Sequence, residues 1–99
     1  MSEYKIYITP DALHEMKALP GNIRQRVKRA IDALTSNATP TGSKTLNFNL
    51  PDCTVCRIRL DKWRIVYAVT ESEKIIDILG VRKRPPYDYG DIEKLLENR

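Results

Sequence analysis

Histidine occurs once in this 99-residue chain, as His14, and cysteine only as the single C-x-x-C pair Cys53 and Cys56. A zinc site on that pair needs two more ligands, which one histidine in a distant helical stretch cannot supply. A thioredoxin-type redox motif sits at a helix start, whereas Cys56 runs straight into a strand pattern that turns the two sulfurs to opposite sides. The pair reads as two small reduced residues of a cytosolic fold, and His14 as an ordinary helix residue. No apolar run approaches the length of a membrane span. The amino terminus lacks the apolar stretch and small-residue cleavage site of a secretory signal, so the expected location is cytoplasmic, with no membrane partner. There is no glycine-rich phosphate cradle, no internal repeat and no low-complexity segment. The carboxylates are scattered, without the spacing of a dyad or a metal cluster. The expectation is therefore no metal and no cofactor.

What the chain does have is positive charge, in particular places. The formal charge is +4, from 17 Lys and Arg against 13 Asp and Glu, which favours an acidic partner without naming it. Val55–Tyr67 reads as strand, two-residue turn and strand, with Asp61-Lys62 as the turn. Leu60 then pairs with Trp63, Arg59 with Arg64 and Ile58 with Ile65. Alternation makes one face apolar (Ile58, Leu60, Trp63, Ile65, Tyr67) and crowds Arg57, Arg59 and Arg64 onto the other. Like charges in direct register cost up to ~1 kcal/mol. A sheet that accepts this cost is expected to offer the arginines to a polyanion. A second basic run, Arg82-Lys83-Arg84, follows the last strand without a break, with Tyr87 and Tyr89 just beyond. Arg24, Arg26, Lys28 and Arg29 read as the solvated face of a helix.

The remaining elements follow from local signals. Tyr4–Ile8 reads as an opening strand. Thr9-Pro10-Asp11 supplies an N-cap, a first-turn proline and a first-turn acid for a helix whose apolar face is Leu13, Met16 and Leu19. A second helix starts around Asn22, with Ile23, Val27, Ala30, Ile31 and Leu34 as its core stripe. Thr35–Ser43 reads as a loop, and a weak strand follows around Thr45–Asn49. Trp63–Thr70 is apolar on both faces except at Arg64, so it is expected in the middle of the sheet. Lys74–Val81 forms another strand. Pro85–Gly90 is irregular, and Asp91 can cap a short last helix bearing Ile92, Leu95 and Leu96. One α+β domain spanning 1–99 is expected. Its N-terminal strand and two-helix hairpin pack on one face of a small antiparallel β-sheet, followed by a short C-terminal helix.

Two basic groups, the hairpin arginines and the run beyond the last strand, are expected to line one concavity suited to phosphodiester chemistry. Guanidinium presents fixed forked donors to phosphate oxygens and stays charged, so it stabilises a dianionic transition state but is no base. Nearby cations stabilise a phenolate and lower a tyrosine pKa from its usual ~10. In RNA the 2′-hydroxyl is a built-in nucleophile, so a phosphate clamp and one proton acceptor suffice without metal.

The order strand, Thr-Pro-x-Ala-Leu helix, basic second helix, Pro-Asp-Cys, Arg-Ile-Arg, Trp-Arg-Ile-Val-Tyr, Ile-Leu-x-Val, basic run and tyrosine resembles RelE-type toxins of the RelE/ParE superfamily. The resemblance covers nearly the whole chain and is most specific over Arg57–Tyr67 and Asp77–Tyr89. It implies a RelE-like microbial ribonuclease fold and an endoribonuclease that cuts mRNA in the ribosomal A site. It also implies neutralisation by an acidic, RelB-like antitoxin. Carried over by position, the catalytic set is Arg57, Arg59, Arg64 and Arg84 with Tyr87 or Tyr89, the latter favoured slightly for its closeness to the last helix. Lys44, Lys62, Arg82 and Lys83 are further RNA-binding candidates. Arg57 and Arg59 stand where the family archetype has lysines, and arginine does not shuttle protons. Lys83 or Lys44 would then compensate. Two other readings stay open: a ParE-like poison of DNA gyrase on the same fold, and a non-catalytic nucleic-acid-binding module.

Overall fold

Five strands and three helices are found among the described residues, 3–46, 50–84 and 89–97, of this computed structural model. Strand β1 (Lys5–Ile8) ends at Thr9, whose side chain sets the corner. Its hydroxyl accepts from the Ala12 N–H at 3.2 Å and donates to the Ile78 carbonyl at 2.9 Å. With Pro10 in the first turn, this starts α1 (Pro10–Lys17) and fastens it to the sheet in one step. Helix α2 (Gly21–Ala33) buries Val27 and Ile31, half-buries Ile23 and Ala30, and is followed by buried Leu34. The expected stripe is borne out. On α1 it is rotated: Leu13 is 43% exposed while Ala12 is fully buried. The inward side is therefore Ala12, Glu15, Met16 and Leu19, because the small Ala12 lets the helix approach the sheet closely.

The remaining elements are β2 (Ser43–Thr45), β3 (Thr54–Leu60), β4 (Trp63–Thr70), β5 (Ile75–Lys83) and α3 (Ile92–Glu97). The sheet order is β1-β5-β4-β3-β2, which puts β4 in the middle as expected. Four strands are antiparallel, but β1 joins β5 in parallel, so the sheet is mixed rather than antiparallel throughout. No turn links β1 to β5, so nothing local dictates the sense of their pairing. The weak strand expected around Thr45–Asn49 lies earlier, at Ser43–Thr45. A turn with Ser43 N–H on the Pro40 carbonyl and Gly42 at φ 93° launches it, and pairing with Cys56–Ile58 sets its register. Residues 47–49 of that expectation lie outside the described residues.

The sheet separates two cores. Helices α1 and α2 cover Ile58, Ile65, Tyr67, Ile76, Ile78 and Val81 on one face. Helix α3 covers Val55, Val66, Ala68 and Leu79 on the other, through Ile92 and Leu95. The expectation of helices on one face thus holds for α1 and α2 only. Midway along β5 the register passes from Val66↔Gly80 to Tyr67↔Ile78, leaving Leu79 as the extra residue of a bulge. Cys53 and Cys56 are free, buried and divided between the two cores. Burial pushes the Cys56 thiol up, which keeps it protonated. Replacing Thr9 by alanine removes a helix cap and a tie to β5. We expect a loss of about 1–2 kcal/mol in urea unfolding, with Thr9→Ser losing less.

Candidate functional site

The β3–β4 hairpin has the expected turn and register. Asp61 adopts φ 55° in the two-residue turn, Leu60 pairs with Trp63, and Arg59 lies opposite Arg64. Strand β5 extends the row, because Arg64 pairs in turn with Arg82. Three arginines on three adjacent strands therefore share one level and one face. The next level down reads Lys44, Arg57, Val66 and Gly80.

These cations are held in different ways. Arg59, Lys44 and Lys62 are exposed. Arg57 is half-buried and donates to the Gly42 carbonyl at 3.2 Å. Arg64, in the middle of the row, is only 9% exposed. Its Nη1 donates to the carbonyls of Asp61 and Trp63, both at 2.9 Å, and its Nε has no hydrogen-bond partner among the described residues. No carboxylate pairs with it among the described residues. Desolvating a guanidinium costs several kcal/mol unless an anion compensates. Two turn carbonyls compensate in part, and they aim the side chain. The acid nearest in sequence, Asp61, is turned away and pairs with Arg26 at 2.5 Å.

Arg82 is different. It ion-pairs with Glu15 of α1 and, at 2.6 Å, with Asp91 at the threshold of α3. Burial works against its charge, but the Asp91 hydrogen bond and the two carboxylates outweigh that and raise its pKa. Its charge is thus balanced inside the fold. Lys83 and Arg84 are exposed at the exit of β5, where the Arg84 N–H meets the Lys62 carbonyl at 2.7 Å and ties the exit to the hairpin turn. The Arg84 guanidinium sits over the Tyr89 ring, 5.3 Å from its centroid. Tyr89 takes φ 65° and packs against the α3 core, with its hydroxyl enclosed. Tyr87, within the segment 85–88, lies outside the described residues. Among the described residues, no three His, Cys, Asp or Glu side chains are placed to hold a metal.

A family model described as the ParE toxin of type II toxin-antitoxin systems, parDE, matches residues 6–85. The chain belongs to that family. It is a toxin of a type II toxin–antitoxin system, within the RelE/ParE superfamily that its sequence resembles. Its fold is similar to that in the archaeal RelE–RelB complex of Pyrococcus horikoshii OT3, with TM-score 0.76 and 24% identity over 88% of this chain and 100% of that one. The RelBE2 toxin–antitoxin complex of Mycobacterium tuberculosis gives 0.69 and 22%, covering 83% and 99%. Isolated RelE of E. coli gives 0.67 and 21%, covering 95% and 96%. No curated protein matches the sequence.

Within this ParE-family chain, sequence reasoning missed Glu15. It reaches the edge of β5 beyond the point where β1 stops, and its Oε1 accepts the Val81 N–H at 3.1 Å. Gly80 makes room: a Cβ there would stand 3.0 Å from that oxygen. The spacing Ala12, Glu15, Met16, Leu19 carries the signal, but Leu13 creates a competing apolar stripe on the same short helix. Desolvation raises the Glu15 pKa, only partly opposed by the Val81 N–H and Arg82. The folded chain therefore takes up that proton more readily than the unfolded one. Ionised Glu15 costs stability above its folded pKa, and the cost disappears as pH falls through that value towards 4.5. Relative to Glu15→Gln, the native chain should gain stability on acidification across that window, as read from unfolding at a series of pH values.

Proposed function

We propose that this toxin is an mRNA endoribonuclease acting in the cytoplasm on messages held in the ribosomal A site. The observation that carries the reading is Arg64: a buried guanidinium with no acid on it among the described residues, flanked by Arg59 and aimed by its own turn. A phosphate is the ligand whose charge and oxygen geometry complete such a group. In the proposed reaction the 2′-oxygen attacks the adjacent phosphorus and the P–O5′ bond breaks. The products are a 2′,3′-cyclic phosphate and a 5′-hydroxyl. Arg57, Arg59 and Arg64 hold the non-bridging oxygens, and Arg84, propped on Tyr89, closes the clamp from the β5 exit. The proton leaves the 2′-hydroxyl for Tyr87 or Tyr89 acting as phenolate, with Lys83 or Lys44 as the alternative shuttle, and is handed on to the departing 5′-oxygen as the P–O5′ bond breaks. The enclosed hydroxyl of Tyr89 favours a supporting role for its ring. Arg82, balanced by two acids, organises the row rather than meeting RNA. A base this weak needs the substrate positioned for it, which is what the ribosome supplies.

The partner is an acidic, RelB-like antitoxin that covers the hairpin arginines and displaces the six-residue α3. A complex leaving both untouched would refute that mode of inhibition. Brief induction without the antitoxin should arrest growth and generate new 5′ ends within translated messages. Arg64→Lys and Arg84→Ala should each lower cleavage roughly 100-fold or more, with Tyr87→Phe and Tyr89→Phe deciding between the phenols. Equal cutting of naked RNA would remove the ribosome from the scheme.

The family description favours a second reading, a ParE-like gyrase poison. Induction would then raise DNA-damage signalling with messages intact.

A further inference from the structure

A wide hollow of about 890 Å³ lies at the tip of the hairpin. Pro20 and Ile23, at the α1–α2 corner, form its apolar wall together with half-buried Trp63, which rests on the core beneath α1 and α2 and also lines the hollow. Arg59, Lys62 and Lys83 stand around it. Asp61 also lines it, but its carboxylate is taken by Arg26 at 2.5 Å. The hollow thus combines an aromatic and aliphatic lining with three cations whose charge no acid of the lining balances. It is also continuous with the phosphate clamp. Arg59 belongs both to the arginine row and to the hollow, and Lys83 follows Arg82 directly and pairs across the sheet with Trp63.

We infer that this hollow is a nucleobase subsite: a nucleotide neighbouring the clamped phosphate turns over the end of the sheet and stacks its base on Trp63. This rests on the RNA-cleaving function proposed above and extends it to a residue with no part in the clamp. An aromatic face flanked by cations is the arrangement that holds single-stranded nucleic acid, since every base has a π-face and each link carries a charge. Guanidinium and ammonium groups at the rim take the backbone, and the indole takes the base. Stacking of this kind tolerates any base, so the subsite contributes grip and register.

Trp63 is the only tryptophan in the chain, so its emission reports on the hollow directly. The probe is an eight-nucleotide single-stranded RNA with 2′-O-methyl sugars, which removes the nucleophile, together with a matched set carrying one abasic nucleotide at successive positions. At low salt the intact oligonucleotide should quench Trp63, and one abasic position should abolish the quenching while backbone binding persists. Trp63→Leu should weaken binding roughly tenfold or more, and Trp63→Tyr should restore most of it. Binding without quenching, or quenching that survives every abasic substitution, would overturn the base subsite and leave the clamp standing. A hollow that ignores RNA but is quenched by the antitoxin belongs to the protein partner, which also overturns it. No RNA binding at all would sink the subsite, while the cleavage reading stands or falls separately on the new 5′ ends that induction produces in translated messages.

Discussion

Arg64 holds two things together. Its Nη1 bonds the carbonyls of Asp61 and Trp63, so the side chain buttresses the turn that determines its own register. A slip of one residue in that hairpin would send Arg59 and Arg64 into the apolar core and expose Ile58 and Ile65. The alternation of apolar and cationic residues along β3 and β4 therefore serves two ends at once. It fills the core beneath α1 and α2, and it builds the charged row above. The cost of burying a guanidinium between like charges is accepted within the same element that keeps the sheet in register.

The acids are distributed so that this charge survives. Asp61, the carboxylate closest along the chain, is drawn off by Arg26 of α2. Glu15 and Asp91 converge on Arg82 at the edge of the sheet, one strand away. Arg82 thereby joins α1, β5 and the start of α3. Glu15 also occupies an N–H that the short β1 leaves unpaired, a polar group that would otherwise stand at a bare sheet edge. Among the described residues Arg64 alone of the row is buried with no carboxylate upon it.

Much of this was legible in order of residues, and the failures share a cause. The hairpin, its turn, its register, the central strand and the core stripe of α2 all come from spacing over a few residues, and all are found. The parallel entry of β1, the start of β2 at Ser43 and the placement of α3 on the opposite face depend on segments far apart in the chain. Leu13 misled because a helix of eight residues admits more than one apolar stripe, and only the neighbouring strand selects between them. Arg82 looked equivalent to Lys83 and Arg84, yet its two acids lie 67 positions upstream and nine downstream (82 − 15 and 91 − 82).

By itself the sequence determined which residues share a face, because strand alternation and helical period are properties of the backbone that need no partner. It thereby placed Arg57, Arg59 and Arg64 together. Only the tertiary structure decided which of the cations keep a charge to offer, since that depends on carboxylates brought in from other elements and on how much water each guanidinium loses.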